Sequence, residues 1–578
     1  MYEKVEVHYF CTRKKEVVQM RVKGRKVGCQ LITVGLIIAV LIGLGVSVSG
    51  AAFQQLPLRF EISFTEDVAS EMAFFNLQVP VVGRIFVVIS TDSSREPINR
   101  ISATGVPFWG KDVRNLSAGQ PVVIADDEGT LVVGYPLDRL ADIPAGEYYV
   151  QAFLNVYTTF YRADGYVVEM HLNSGAGQKP FRAPGNVKSR VQRVYLDPES
   201  SGTVALTLTE VIPPSRPLEE GEVLQQGLYD DTADVKYVKI KSDLVSEFWG
   251  QDMYIGANIR LPKGYDDNPD VYYPVHYHQG HFPRGRAGSE SDEGPWFIHV
   301  WFRHANPYYD DSYAVNSANI GPYGDALVKE LIPYIEENFR IIREPWARIL
   351  SGGSTGGWEA LALQVFYPDF FGGTWPASPD GIDFHAYQIV DIYEEDNAYY
   401  TEYDWMKVER PSCRRTDGNI RFTIRMENLW EYALAPNSRS TKQWAVWEAV
   451  YGPVGPDGYP RPIWNILTGE IDHDVAEEWK KYDLTDILRE NWSTLGPSLV
   501  GKIHMTVGDM DGYYLNLGVY LLEEFLESTT DPYASATFAY GRLGSHGWRP
   551  SPRLTDADYA AYITENAPKG ADTSSWKY

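Results

Sequence analysis

The chain has 578 residues, too many for one ordinary core, and its 44% hydrophobic and 13% aromatic content describes a folded protein of two or more domains. A formal net charge of -25 argues against a nucleic-acid or anionic-membrane partner. Of the three cysteines only Cys413 lies beyond residue 52, so a chain trimmed there has no intramolecular disulfide and must stand on its packing.

The first residues read as a targeting segment. Lys23, Arg25 and Lys26 precede an uncharged apolar run, Leu31 to Val48, which ends in Ser49-Gly50-Ala51-Ala52. That is the layout of a secretory signal peptide cleaved near Ala52. The run also approaches the ~18 residues that span a bilayer, so an uncleaved N-terminal membrane anchor competes with it. Either way residues 1–52 place the body outside the cytoplasm, secreted or periplasmic in the first case and anchored in the second.

Residues 53–212 read as short strands with turns between them. Arg84 to Ser90, Thr130 to Val133, Glu147 to Leu154, Gly165 to His171 and Gly202 to Leu208 are the runs, and no long helical pattern interrupts them. This predicts an all-β, immunoglobulin-like sandwich. It contains no triad and no metal-ligand spacing, and its role stays open among carbohydrate binding, packing and oligomer contacts. Residues 213–222, rich in proline, read as a stiff linker.

Residues 223–578 change character. Strand-like runs at Val235 to Ile240, Ile255 to Leu261 and Tyr272 to His281 lead to an amphipathic helix, Tyr323 to Phe339. Next comes ARILSGGSTGGWEALALQVFYPDFF, Ala347 to Phe371: an apolar strand, a serine inside Gly-x-Ser-x-Gly, and a helix closed by Pro368. Strand, glycine-bounded serine and helix in that order describe a nucleophile elbow, which exposes the Ser354 hydroxyl and aims the Thr355 amide at a developing oxyanion. Alternating helices and strands predict a mostly parallel sheet covered on both faces.

Four stretches in this order, LPKGYDDNPDVYYPVHYHQG, ELIPYIEENF, GGSTGGWEA…YPDFFGG and GDMDGYYLN followed by GSHGW, resemble the esterase D-like branch of the α/β-hydrolases. That branch includes feruloyl and acetyl-xylan esterases and S-formylglutathione hydrolases. The resemblance implies an α/β-hydrolase fold and a serine esterase that works through an acyl-enzyme without a cofactor or metal. Its substrate would be a small-molecule or carbohydrate ester. It implies Asp511 as triad acid, with Asp509 a near rival and Asp380 a distant third, and His546 as base. The order Ser354…Asp511…His546 is the α/β-hydrolase order. The second oxyanion amide is expected from the loop at Gly280, where Gln279 replaces the family's histidine and His281 is the choice.

His276, His278 and His281 form a cluster that also suggests a metal, since His276 and His278 share one strand face. The missing acid at Gly280 opposes that, and a polar pocket lined by His276, His278, Asp380, Trp358 and Trp548 is the alternative. An insert at about 384–479 with six tryptophans reads either as an aromatic lid or as a packed helical subdomain. Two rival functions remain at this stage: a prolyl-oligopeptidase-type peptidase, and a glycan-binding protein on an inactive hydrolase scaffold. Oligomeric state is left open.

Overall fold

The computed structural model describes residues 57–578 apart from 76, 78, 128–130, 172–178 and 282–293. The expected signal or anchor lies outside the described residues, and no described helix is long and apolar enough to cross a membrane.

Between Arg59 and Val211 ten strands join in one sheet. Phe60, Ile62 and Phe64 are buried while Arg59, Glu61 and Ser63 are half-exposed, the period-two pattern of a strand with one face in a core. This first strand runs parallel to the last, Thr203–Val211. The central strand, Gly146–Tyr161, is 16 residues long and pairs with four others. The sheet is wrapped around a core that includes Phe60, Val87, Trp109, Val150 and Leu206. The short helix Glu66–Phe74, capped by the Thr65 hydroxyl accepting from the Val68 amide at 3.3 Å, closes it.

The second sheet has eight strands: β1 Val235–Ser242, β2 Met253–Arg260, β3 Val275–Gln279, β4 Ile298–Arg303, β5 Arg348–Gly353, β6 Gly373–Ala377, β7 His504–Gly508 and β8 Thr537–Gly541. Their order is β1-β2-β4-β3-β5-β6-β7-β8, with the β1–β2 and β2–β4 pairings antiparallel and the others parallel. The parallel strands are short and apolar because helices cover both faces. This is an α/β-hydrolase sheet, as expected. The helix expected at 323–339 is present over 323–338 with a π turn at Leu327–Leu331 just before Pro333, where the missing N–H would break a regular ladder.

The two sheets belong to one compact unit, residues 55–578. Phe160, Val168 and Met170 of the first sheet enter the core of the second. Phe86, Phe108, Tyr135 and Phe153 pack against Ala433 and Leu434 of the insert. Beside them Asp112 accepts from the buried Arg84 at 2.6 Å and from the buried Arg439 at 2.7 Å, so one carboxylate ties both parts. In the insert Trp444, Trp447, Trp464 and Trp479 are all at least 96% buried. They are core, which decides for the packed subdomain. Trp430 is only partly buried, and Trp405, at 98% exposed, lies at the surface.

Strand β5 is anchored at its start by an ion pair. Arg348 donates from Nε at 2.7 Å and from Nη2 at 2.9 Å to Glu336, which also accepts from the Tyr277 hydroxyl at 3.1 Å. Both charged side chains are over 90% buried. Glu336→Gln leaves Arg348 uncompensated in the interior and is expected to lower unfolding free energy by about 3–5 kcal/mol. A urea titration of the two proteins checks this; a loss under ~1 kcal/mol would show the pair to be dispensable.

Candidate active site

Strand β5 runs into the helix Thr355–Phe366 through a single residue, Ser354, at φ 58 and ψ -127. Such a conformation is strained for a non-glycine residue and persists only where surroundings impose it. The glycines beside it show how. A Cβ on Gly352 would sit 1.9 Å from the Gly356 carbonyl oxygen, and one on Gly356 would sit 2.2 Å from the Gln279 carbonyl oxygen. The turn is therefore as tight as backbone allows, and the helix N-terminus abuts the Gln279–Gly280 turn after β3. Thr355 opens the helix, where a first-turn amide has no helical acceptor and is free for an anion.

Asp511 and His546 arrive from the ends of β7 and β8. The structure brings them together: His546 Nδ1 lies 2.9 Å from Asp511 Oδ2. Asp511 is fully buried, and its other oxygen accepts from the Tyr513 amide at 2.9 Å and the Leu515 amide at 3.4 Å. Asp509 is half-buried; its main-chain N–H donates to Gly541 and its carbonyl accepts from Arg414. Burial works against a charged His546, but the hydrogen bond and charge of Asp511, with Asp380 behind, outweigh it and raise the imidazole pKa above its ordinary value. Trp548 seats this turn, since a Cβ on Gly541 or Gly544 would strike its ring at 2.3 or 2.8 Å.

Ser354 itself donates to Asp380 Oδ1 at 3.2 Å. Asp380 is 4% exposed and also accepts at Oδ2 from the hydroxyls of Tyr313 at 2.7 Å and Thr355 at 2.9 Å, and from Gln443 at 3.0 Å. Trp447 donates to Tyr313 at 2.7 Å. The insert thus reaches the site through the helix Gln443–Tyr451, which sequence reading did not single out, and through Arg414, which donates to the Asp511 carbonyl at 3.0 Å. Tyr513, over His546 at 5.1 Å, was likewise missed. Its place two residues after Asp511 is the signal that could have found it.

The expected pocket residues divide. Trp358 is fully buried against Tyr313 and Tyr451, so it is core and lines no pocket: its helix face turns inward. His276 is 3% exposed, stacked on His278 and bonded through Nε2 to the Ser351 hydroxyl at 2.7 Å. His278 lines a cavity of about 320 Å³ with Trp301, Trp375, His504 and Arg549. His278 Nε2 meets His299 Nδ1 at 3.0 Å, and His299 Nε2 meets Asp556 at 3.3 Å. His278 and His299 thus form a chain ending at Asp556, while His276 Nδ1 is buried without a hydrogen-bond partner. His281 turns elsewhere: its Nδ1 lies 3.1 Å from Asp310 and 2.9 Å from Asp311.

Comparison with known proteins places this geometry. Residues 249–428 match the family model described as Putative esterase, a span that contains His281, Ser354, Thr355 and Asp380 and ends before Asp511 and His546. The uncharacterized protein YjcH of Bacillus subtilis (strain 168) is 24% identical over 161 residues, which are 25% of this chain and 66% of YjcH; the chain thus spans just under two thirds of that relative. A solved ferulic acid esterase aligns with 55% of this chain and 92% of its own at 15% identity and a TM-score of 0.31. An S-formylglutathione hydrolase from Agrobacterium tumefaciens aligns with 58% and 94% at 12% identity and 0.29. The match to the putative-esterase family is centred on the strained serine turn, and it supports a serine carboxylic-ester hydrolase.

Proposed function

We propose that this hydrolase cleaves an acyl ester of a carbohydrate or a phenolic acid, outside the cytoplasm, through a triad of Ser354, His546 and Asp511. The observation that carries the triad is the 2.9 Å contact between His546 and a buried, amide-held Asp511. His546 takes the proton of Ser354 as the hydroxyl oxygen attacks the ester carbonyl, and returns it to the leaving alcohol. Water then attacks the acyl-enzyme with His546 again as base. The Thr355 amide and that of His281 receive the oxyanion. The Ser354–Asp380 hydrogen bond belongs to the resting site, and the hydroxyl turns to His546 when substrate enters. Tyr513, 5.1 Å from His546, and Tyr309, 5.5 Å from His281 and bonded to Gln443 at 3.0 Å, flank the site and favour an aromatic acyl group. The apolar run at Leu31 to Val48 supports export, and the parallel first-to-last strand pairing is compatible with an immunoglobulin-like first domain.

A panel of feruloyl, acetyl and p-nitrophenyl esters beside matched amides tests the reading, with a fluorophosphonate probe mapped by mass spectrometry. Labelling at Ser354 and preference for aryl esters are expected. Amide cleavage with no ester turnover would overturn it. Because neutral imidazole is the base and its pKa is raised, kcat/KM is expected to rise with pH through a midpoint above the ordinary histidine value. Asp380→Asn removes a charge that favours the imidazolium, so the midpoint moves to lower pH. A midpoint that stays or moves up in a pH–rate profile would show that Asp380 does not act on His546.

A further inference from the structure

Behind the Gln279–His281 turn lies a second concentration of charge. Asp310 and Asp311 are 6% and 0% exposed, and both point at His281 Nδ1. Glu359, one helical turn beyond Thr355, is fully buried and neither carboxylate oxygen has a hydrogen-bond partner. Asp311, His281 and the Gly280 amide are the groups that weigh on it. Lys179, 3.5 Å from Asp310, and the buried Lys442 offset Asp310 alone. That leaves Asp311 and Glu359 sharing the interior with His281 and with His304, whose Nε2 lies 3.8 Å from Glu359 Oε1 and which burial keeps neutral by lowering its pKa to about 3. Carboxylates placed so cost several kcal/mol each unless a cation accompanies them. Burial and mutual repulsion push the Glu359 carboxyl far above its ordinary range.

The spacing has a specific meaning. Two donors about 2.1 Å from one octahedral ion, at right angles, lie about 3 Å apart. The His281–Asp310 and His281–Asp311 separations are 3.1 and 2.9 Å, and the three donor atoms all lie within 4.8 Å of one another. We propose that His281, Asp310 and Asp311 bind one divalent cation, toward which the buried Glu359 carboxylate beside Asp311 turns. One imidazole with two carboxylates suits a first-row ion such as Mn²⁺ or Zn²⁺ better than an all-oxygen Ca²⁺ cage. The histidine chain at His276, His278 and His299 is a poorer site, because it offers no carboxylate within the group and its nitrogens largely satisfy one another and Ser351.

The cation would link three segments: the turn carrying the His281 amide, the 310–311 loop, and the helix that begins at Thr355. Its effect on turnover rests on the oxyanion reading of that turn; its binding does not. The test is therefore made on binding. The full chain, dialysed against a chelator, is titrated with Mn²⁺, Zn²⁺, Ca²⁺ and Mg²⁺ separately, by calorimetry and thermal unfolding. One equivalent of Mn²⁺ or Zn²⁺ is expected, raising Tm by about 5 °C at saturation. Asp311→Asn and Glu359→Gln are each expected to weaken binding at least 10-fold. If those variants do not fold, the wild-type titration and metal content by mass spectrometry decide. No uptake of any of the four ions at 1 mM (on the order of a thousand times a micromolar Kd) would overturn the proposal. So would binding unchanged in both variants, or lost only in His299→Ala, which would place the metal on the histidine chain.

Discussion

Ser354→Ala is expected to reduce kcat for a p-nitrophenyl ester to about one part in 10⁶ and to abolish fluorophosphonate labelling. The hydroxyl is the only atom removed, and little else changes. Alanine at φ 58 meets the same backbone strain as serine, so the elbow keeps its shape. Asp380 loses one of its four side-chain donors and keeps those from Tyr313, Thr355 and Gln443, so no buried carboxylate is stranded. Thermal unfolding should therefore fall within a few degrees of the wild type, which separates lost chemistry from lost fold. The residual rate, about 10³–10⁴ above the uncatalysed reaction, would come from the oxyanion donors and substrate binding. A variant that still turns over at a tenth of the wild-type rate would move the nucleophile elsewhere.

The elbow was legible because its constraint is local: tight backbone demands glycine at fixed spacing, and glycine is visible in sequence. The same holds for β1, β2, β3 and β5, whose apolar runs were located to within a few residues, whereas β4 and β8 were not singled out. Phe108–Leu116 of the first sheet was missed because its residues mix aromatic, charged and polar types. Asp112 sits there to hold Arg84 and Arg439, a reason that exists only once residues 327 positions apart meet. The strand expected at Thr130 to Val133 is instead Val133–Tyr135, and the helix Glu66–Phe74 was too short for its periodicity to stand out. Trp358 misled for a similar reason, since a tryptophan beside a nucleophile reads the same whether its ring faces the pocket or the core. Gln443 and Trp447 could not be placed at the site from their own neighbourhood in the chain. The chain folds back over 63 residues to bring Gln443 to Asp380 and over 134 to bring Trp447 to Tyr313.

The choice between Asp511 and Asp509 is where exchange of one atom has the largest consequence after the nucleophile. Asp511→Asn is expected to lower kcat about 10⁴-fold, and Asp509→Asn by no more than a few-fold. The asparagine carbonyl can keep accepting from the Tyr513 and Leu515 amides, which fixes its orientation. Its NH₂ then faces His546 Nδ1, where the carboxylate accepted the Nδ1–H hydrogen bond. The imidazole must respond by placing its own proton on Nε2, and that nitrogen can no longer accept from Ser354. The histidine is thus present, correctly seated and in the wrong tautomer. Loss of the Asp511 charge also withdraws support for the cation, so any remaining pH dependence shifts to lower pH. Asp509 is held through its backbone and makes no contact with His546 among the described hydrogen bonds, so its charge acts only at a distance. Steady-state kinetics of both variants across pH, with circular dichroism to confirm folding, decide the matter. A larger loss in Asp509→Asn than in Asp511→Asn would reverse the assignment and require the turn after β7 to rearrange on substrate binding.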